Sequence, residues 1–446
     1  MVEAWIQAIS VVIFIGTFIL MILEKMHRTT VALLGAAAMI IAHILAGYFQ
    51  PGEEMYTPAM GLAAIDFNTL GLLFGMMVIV GVIAETGFFD FVAVRMTKIA
   101  GGDYWMLMLM FAVVSAAASA FLDNVSTVLL LIPVTISISK SLEVNPIPLI
   151  MAEILASNIG GTATLVGDPP NIMIGSAVPQ ISFISFIINI APIVIITMLV
   201  SILLLKWMYR EEIKQAPQNL EESLARNEWD EIKNMRLLKK SLLVTGLVVL
   251  FFMIHHTLGV EPSVIALGGA VALLVWGRIH PEDALRHVHW STLLFFAALF
   301  IMVGGLVHVG VMDIVGTALA DFTGGDLFVA LVFILWISAI ASTFLDNIPF
   351  TATMIPIIFA MQPLFVLDKF FINPMWWALS IGACFGGNGS LVGASANMVA
   401  VGISEKFGYP ITFRGFMRKA FPFMIVTLVI GTGLLLLMVA IQLALP

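Results

Sequence analysis

One cysteine, Cys384, is too few for an internal disulfide or a multi-cysteine metal centre. No Gly-Lys dipeptide occurs, so there is no P-loop and no sign that this chain hydrolyses ATP itself. Charge is scarce: Asp, Glu, Lys and Arg make up 11% of 446 residues, against roughly 25% in soluble domains. No basic patch suited to nucleic acid is left in such a chain. No nucleophile–base pair or metal cluster stands out, which argues against an enzyme. The first apolar stretch lacks a small-residue cleavage site and reads as a retained helix, not a signal peptide.

What fills the chain is apolar. Hydrophobic residues make up 61% of it, the composition of a polytopic protein of the cytoplasmic (inner) membrane with the lipid bilayer as its first partner. Runs able to span lie near 6–23, 31–49, 67–84, 105–139, 147–178, 181–208, 241–258, 262–277, 290–308, 327–362, 374–403 and 420–444.

The chain repeats itself. Phe121-Leu-Asp-Asn124 returns as Phe344-Leu-Asp-Asn347, a shift of 223 that also maps Thr69 to Thr292, Gly81 to Gly304, Gly87 to Gly310, Asp90 to Asp313, Asp103 to Asp326 and Pro133 to Pro356. A shift of 226 maps Gly160-Gly161 to Gly386-Gly387, Gly167 to Gly393 and Asn171 to Asn397. Chance pairing at a fixed shift is common for Leu or Val and rare for Asp, Asn, Pro and Gly. The segments 105–139 and 327–362 are too long for one span and read as re-entrant helical hairpins. The expected fold is all-α: two inverted repeats, 1–209 and 241–446, joined by a cytoplasmic linker, 210–240. Each repeat has five transmembrane helices plus one hairpin, with glycine-broken helices at the midplane.

The distribution of basic residues fits that topology. With the linker in the cytoplasm and both termini outside, 19 of the 20 Lys and Arg fall inside and only Lys369 falls outside. The outer loops then carry Glu53, Glu54, Asp66, Glu261, Asp313, Asp321 and Asp326. No Lys or Arg is expected in the membrane core.

Polar chemistry gathers in four segments. They hold Asp123, Asn124, Ser126 and Thr127; Asn158, Gly160, Gly161, Thr162, Thr164, Asp168 and Asn171; Asp346, Asn347 and Thr351; and Asn388, Ser390, Ser395 and Asn397. Helices broken at glycine expose backbone groups that membrane depth tolerates only in a protein interior or a wet cavity. These residues form the expected substrate and ion site, with Asp123, Asp346, Asp168 and Glu153 as proton-coupling candidates. Na⁺ could also sit at the Asp-Asn hairpin tips. Plainer readings exist for several. The glycine pairs could serve helix packing, Ser126, Thr353 and Ser395 could bond their own helices, and Asp168 could cap a helix. Glu153 could be a satisfied buried acid, Glu85 and His308 could sit at the interface, and Cys384 could be packing. A solely structural role is hardest to accept for Asp123 and Asp346, since the carboxylate is costly and occurs twice.

At FLDNVSTVLLLIPVT (121–135), SNIGGTATLVGDPPNIMIG (157–175), FLDNIPFTATMIPI (344–357) and GGNGSLVGASANMVAVGI (386–403), and at Glu24-Lys-Met-His-Arg28, the sequence resembles the ion transporter superfamily. The resemblance is to the branch holding arsenite permeases, sodium–proton antiporters of the NhaD type and the pink-eyed-dilution (P) protein. It implies inverted repeats, a scaffold part, a mobile transport part and often a homodimer. Carboxylate-carrying relatives have Ser-Asn-Thr at the hairpin tips. Here Asp stands before Asn, which argues against a dicarboxylate carrier. The resulting expectation is a proton-coupled antiporter exporting arsenite or antimonite as the neutral trihydroxide. The alternatives are a sodium–proton antiporter and a sodium-coupled carboxylate transporter. The coupling ion would be H⁺ or Na⁺, the cargo a small inorganic solute or ion, and no other cofactor is expected. An arsenite pump could also recruit a soluble ATPase subunit.

Overall fold

A computed structural model describes residues 4–23, 25–49, 55–214 and 225–444. Glu24, Glu53 and Glu54 lie outside the described residues, as do 215–224 of the linker. Among the described residues the regular structure is helical. The first half runs α1 (Ala4–Ile22), α2 (Arg28–Phe49), the short α3 (Pro58–Ala63), α4 (Phe67–Glu85), α5 (Phe88–Ala100), α6 (Tyr104–Ser119), α7 (Asn124–Ser141), α8 (Ile147–Gly161), α9 (Pro169–Ala177), α10 (Phe183–Asn189) and α11 (Ala191–Met208). The second runs α12 (Met235–Leu258), α13 (Pro262–Gly277), α14 (Pro281–Leu285), α15 (Trp290–His308), α16 (Val311–Phe322), α17 (Leu327–Phe344), α18 (Asn347–Met361), α19 (Met375–Gly386), α20 (Ser395–Lys406) and α21 (Phe413–Ala444). Ten of these helices are long and apolar enough to cross a membrane, so this is a multi-pass membrane protein.

The element order of the first half returns in the second. Gly87 and Gly310 even share a left-handed backbone, with φ of 81° and 75°, where α4 turns into α5 and α15 into α16. Those two amphipathic helices were not legible as apolar runs. Residues 88–100 and 311–322 read as loop, yet α5 buries Phe89, Ala93, Val94, Thr97 and Ala100, and α16 buries Met312, Gly316 and Ala320.

The DN segments are helical hairpins. Ser115 Oγ donates to Glu153 O (2.9 Å) and Ser157 Oγ to Ser119 Oγ (3.2 Å), so α6 runs with α8. Asn124 meets Asn158 while Thr135 meets Glu153, so α7 runs against α8 and back along α6. The 16 residues of α6 reach about 24 Å at 1.5 Å each, short of a hydrocarbon core of ~30 Å.

Aspartates start these helices. Asp103 caps α6 through Met106 N (2.7 Å), and its repeat partner Asp326 caps α17 through Val329 N (3.0 Å). Such caps satisfy N–H groups that have no partner within the helix.

The halves interlock. Thr29 at the start of α2 donates to Ser291 O at the start of α15, and the His43 and His308 rings near their ends lie 6.1 Å apart. Asn68 at the start of α4 donates to Glu261, and Ser263 N of α13 donates back to its amide oxygen (3.1 Å). Glu85, ending α4, meets His287 just before α15 at 2.8 Å. At the centre lie α8 and α19, buried along nearly their whole lengths, as helices apolar all round must be.

Candidate functional site

Each broken helix is stapled by one asparagine. Asn171 Nδ2 donates to the carbonyls of Gly161 (3.3 Å), Thr162 (3.1 Å) and Thr164 (2.8 Å). Asn397, its repeat equivalent, donates to Gly387 O (2.7 Å) and Ser390 O (2.8 Å). Carbonyls released by the break thus find donors, as a dry interior demands. The amide oxygens are held in a matching way. Asn158 Nδ2 donates to Asn397 Oδ1 (2.9 Å) and Asn388 Oδ1 (2.9 Å). Cys384, 226 residues after Asn158, lies 3.7 Å from Asn171 Oδ1, which also accepts from Ser380 Oγ at 2.6 Å.

Other candidates are spent on the same frame. Thr164 Oγ1 donates to Ala120 O, and Ser390 Oγ to Thr343 O, tying each break to a hairpin arm. Thr162 donates to Asn158 O (2.9 Å) and Thr351 to Asn347 O (2.8 Å), their own helices. Thr127 is buried, with no hydrogen-bond partner for its hydroxyl among the described residues. Gly160 lies against the Ala116 main chain and Gly161 against the Gly167 carbonyl, where a Cβ would clash. These seven positions build the site and do not face its opening.

What faces the gap is a smaller set. A cavity of about 20 Å³ lies where both hairpin tips meet the starts of α9, α15 and α20. Asp123, Asn124, Asn347, Thr292, His289 and Ser395 contribute to its walls. It admits one water or a bare ion. A wider vestibule of about 400 Å³ opens beside residues 26–29 and shares Thr292, Ile348 and Ser395 with it.

The two aspartate tips differ. Both are N-caps, the structural role that seemed hardest to accept: Asp123 accepts from Ser126 N (2.9 Å) and Ser126 Oγ, Asp346 from Ile348 N (3.2 Å). The cap explains why Asp begins each second arm and leaves the carboxylates at the tips, against the positive ends of α7 and α18. Asp346 also meets Arg28 Nη1 at 3.1 Å and Ser395 Oγ. No salt bridge to Asp123 occurs among the described residues. Arg28 corrects the expectation of a site without Lys or Arg. It begins α2, and its long side chain reaches inward from the helix start to the tip of the second hairpin, also donating to Met398 Sδ (3.1 Å).

Asp168 makes no cap bond, contrary to the plain reading of Asp before Pro-Pro. Its Oδ1 accepts from Asn347 Nδ2 (3.1 Å) and the Cys384 thiol approaches the carboxyl group, while its Oδ2 is buried with no hydrogen-bond partner within normal distance among the described residues. Glu153 lies apart from the cavity, bonded to Thr135, with Oε2 likewise unpartnered. The equivalents of Asp168 and Glu153 at a shift of 226 are Ala394 and Leu379, so these acids belong to one half only. Arg28, His289 and Thr292 were absent from the sequence-derived site. The motif ending in Arg28 and the Thr69–Thr292 repeat identity were their only traces.

The sequence model described as "Citrate transporter" matches residues 18–382. The chain belongs to this family. Within it the chain is 39% identical over 413 residues to "Uncharacterized transporter Rv2684" of Mycobacterium tuberculosis, covering 93% of this chain and 94% of that protein. It is 39% identical to the "46 kDa membrane protein" of Mycobacterium leprae over 95% and 97% of the two chains. It is also 35% identical to the P protein of Homo sapiens, matching 96% of this chain but 59% of that longer protein. The YdaH transporter of Alcanivorax borkumensis shares the fold at a TM-score of 0.61 and 13% identity, over 93% of this chain and 99% of that one. MtrF of Neisseria gonorrhoeae does so at 0.61 and 12%, over 92% and 95%. The resemblance to the ion transporter superfamily therefore holds, and this citrate transporter family member is a transporter, not an enzyme.

Proposed function

We propose that this chain is a proton-coupled secondary antiporter whose exported solute, arsenite or antimonite, loads in the vestibule beside Arg28 and passes between the hairpin tips when the small cavity there widens. The observation that carries the coupling is Asp168, buried beside Asn347 and Cys384 with Oδ2 outside any normal hydrogen bond among the described residues. A buried carboxylate oxygen without a partner is costly, and a proton relieves that cost. Asp123 is an acid at the cavity wall, with no salt bridge among the described residues. Amides, hydroxyls and acids suit a neutral trihydroxide, which needs donors and acceptors and no counter-charge.

In this reading 1–209 and 241–446 are inverted repeats joined by 210–240, in the inner membrane with the basic face cytoplasmic. The vestibule beside Arg28 then opens to the cytoplasm, where an exported solute loads.

A carboxylate such as citrate is the second reading, favoured by Arg28, a cation at the vestibule wall. Sealed proteoliposomes with an imposed pH gradient and no ATP separate the two. Arsenite flux that collapses in Asp168→Asn supports the first. Labelled citrate flux that collapses in Arg28→Gln, with no arsenite flux, replaces it with the second. Sodium-dependent dequenching of a pH dye with neither solute moved would make the chain a sodium–proton antiporter instead.

A further inference from the structure

Among the described residues Lys369 is the one Lys or Arg on the face opposite the linker, and it stands at a built pocket. A cavity of about 440 Å³ is walled by Lys369, Asn189, Gln442, Phe370, Phe371 and Trp377. The pocket lies at the C-terminal end of α21, whose other end carries Arg414, Arg418 and Lys419. It therefore lies at the membrane surface away from the basic face. Lys369 Nζ donates to Leu443 O (3.2 Å), and an ammonium carries three protons. Gln442 Nε2 donates to Asn189 Oδ1 (3.3 Å), which fixes the two amides at the pocket wall.

A second cavity continues from the first. It holds about 330 Å³ between α11 and α21, sharing Asn189 and Gln442 and otherwise lined by apolar side chains such as Ile193, Ile196, Leu434 and Leu437. Its outer walls are open, with Leu437 56% and Ile441 52% exposed. A cationic and amide pocket at the surface, leading into an apolar groove along two spans, has the two-part chemistry of a phospholipid: an anionic headgroup and an acyl chain. Phe371, 82% exposed, and the buried Trp377 place aromatic rings at the Lys369 pocket, at the surface level where interfacial aromatics sit.

We propose that this pocket and groove bind one anionic phospholipid, its phosphate at Lys369 and one acyl chain between α11 and α21. A phosphate taken from solution would use the pocket and leave the groove empty. A second copy of the chain would use the groove and leave Lys369 without a role. The lipid uses both, which is why the proposal commits to it.

Native mass spectrometry of the detergent-purified full chain, with phosphatidylglycerol or phosphatidylcholine added, tests it. Wild type should retain phosphatidylglycerol in preference. Lys369→Gln should lower that retention about fivefold, the worth of one basic residue near an anionic lipid. Leu437→Trp should lower it by filling the groove. Ile41→Trp, a change at another exposed position on α2, should not. Matching elution and thermal midpoints for the variants show that each is folded. Unchanged retention in Lys369→Gln, or equal retention of phosphatidylcholine, overturns the proposal. So does a thermal shift with sodium phosphate alone as large as that with the lipid. A Leu437→Trp variant that keeps its lipid but loses a dimer makes the groove a subunit contact and also overturns it.

Discussion

Arg28 Nη1 stands 3.1 Å from Asp346 Oδ2, while Asp123, its repeat equivalent 223 residues earlier, has no cation at that distance among the described residues. The pair joins the start of α2 to the tip of the second hairpin, with Arg28 17% and Asp346 4% exposed. Removing one partner strands the other, so Arg28→Gln and Asp346→Asn should each cost about 1–3 kcal/mol, less than the roughly 3–5 kcal/mol lost when a fully buried pair is broken, because Arg28 is partly hydrated. The double variant should recover part of the loss. Thermal unfolding in detergent reads all three, and strictly additive midpoint shifts would show that the two side chains are not coupled.

Asp168 makes a different case. It is fully buried and its Oδ2 has no hydrogen-bond partner within normal distance among the described residues, so an amide of the same shape should leave stability within about 1 kcal/mol of wild type. If the carboxyl carries the proton, Asp168→Asn should cut pH-gradient-driven flux at least tenfold, about 1.4 kcal/mol of barrier. A folded Asp168→Asn protein with full flux removes Asp168 from the coupling scheme.

Glycine packing is testable by a matched set. Gly160 faces the Ala116 main chain and Gly386 the Ala339 main chain, positions 226 apart with the same neighbour on α6 or α17. Backbone cannot step aside as a side chain end can. Alanine at either should destabilise by about 1–3 kcal/mol. Gly433, with nothing within 4 Å of a new Cβ, should tolerate alanine with no loss. Equal midpoints for Gly160→Ala and Gly433→Ala would refute the packing assignment.

The repeat, the hairpins and both helix breaks could be read from sequence for one reason. Asp, Asn, Pro and Gly are rare inside apolar runs, so their recurrence at fixed shifts is informative where Leu and Val are not. The same reasoning failed for α5 and α16, which are short and two-faced and carry no long apolar run. It failed again at Arg28, because the position looks interfacial and only the reach of the side chain brings it to Asp346. Nor could it decide which of these aspartates caps a helix. Asp-Asn-Val-Ser and Asp-Pro-Pro-Asn both offer an acid before a helix, yet Asp123 turns back to Ser126 N whereas Asp168 points to Asn347. Which way such a side chain turns depends on a partner 179 residues away, beyond the reach of local spacing.

The linker carries its own pH dependence. Glu228 accepts from Lys98 Nζ (2.5 Å) and Arg95 Nη1 (2.8 Å), clipping the linker to α5. The Lys98 bond, its own backbone N–H and Arg95 hold its pKa down to about 2, from an ordinary 4.5. A depressed folded value means the stabilisation is present above about 4.5 and fades as pH falls toward 2. Protease cleavage after Arg226 should therefore be slow at neutral pH and speed up as acid is added, using an acid-tolerant protease. Glu228→Gln should be cut quickly throughout, and a wild-type rate independent of pH across that window would show that the clip does not hold the linker.

Ser395 tests the direction of access. It is half-buried, lines the vestibule beside Arg28 and donates to Asp346, so it sits where a loading solute would pass. Cys384, the single native cysteine, is completely buried and should not react, so Ser395→Cys can be labelled without further changes. A membrane-impermeant charged maleimide should reach Cys at this position from the face carrying Lys25 and Lys406, and much more slowly from the face carrying Lys369. Transported solute should slow the labelling by occupying the path, and an opposing pH gradient should change the rate by shifting which face is open. Labelling from the Lys369 face alone would reverse the assigned orientation of the vestibule. Labelling that no solute, ion or gradient alters would leave this opening outside the transport route, and the acids behind it would then need another explanation.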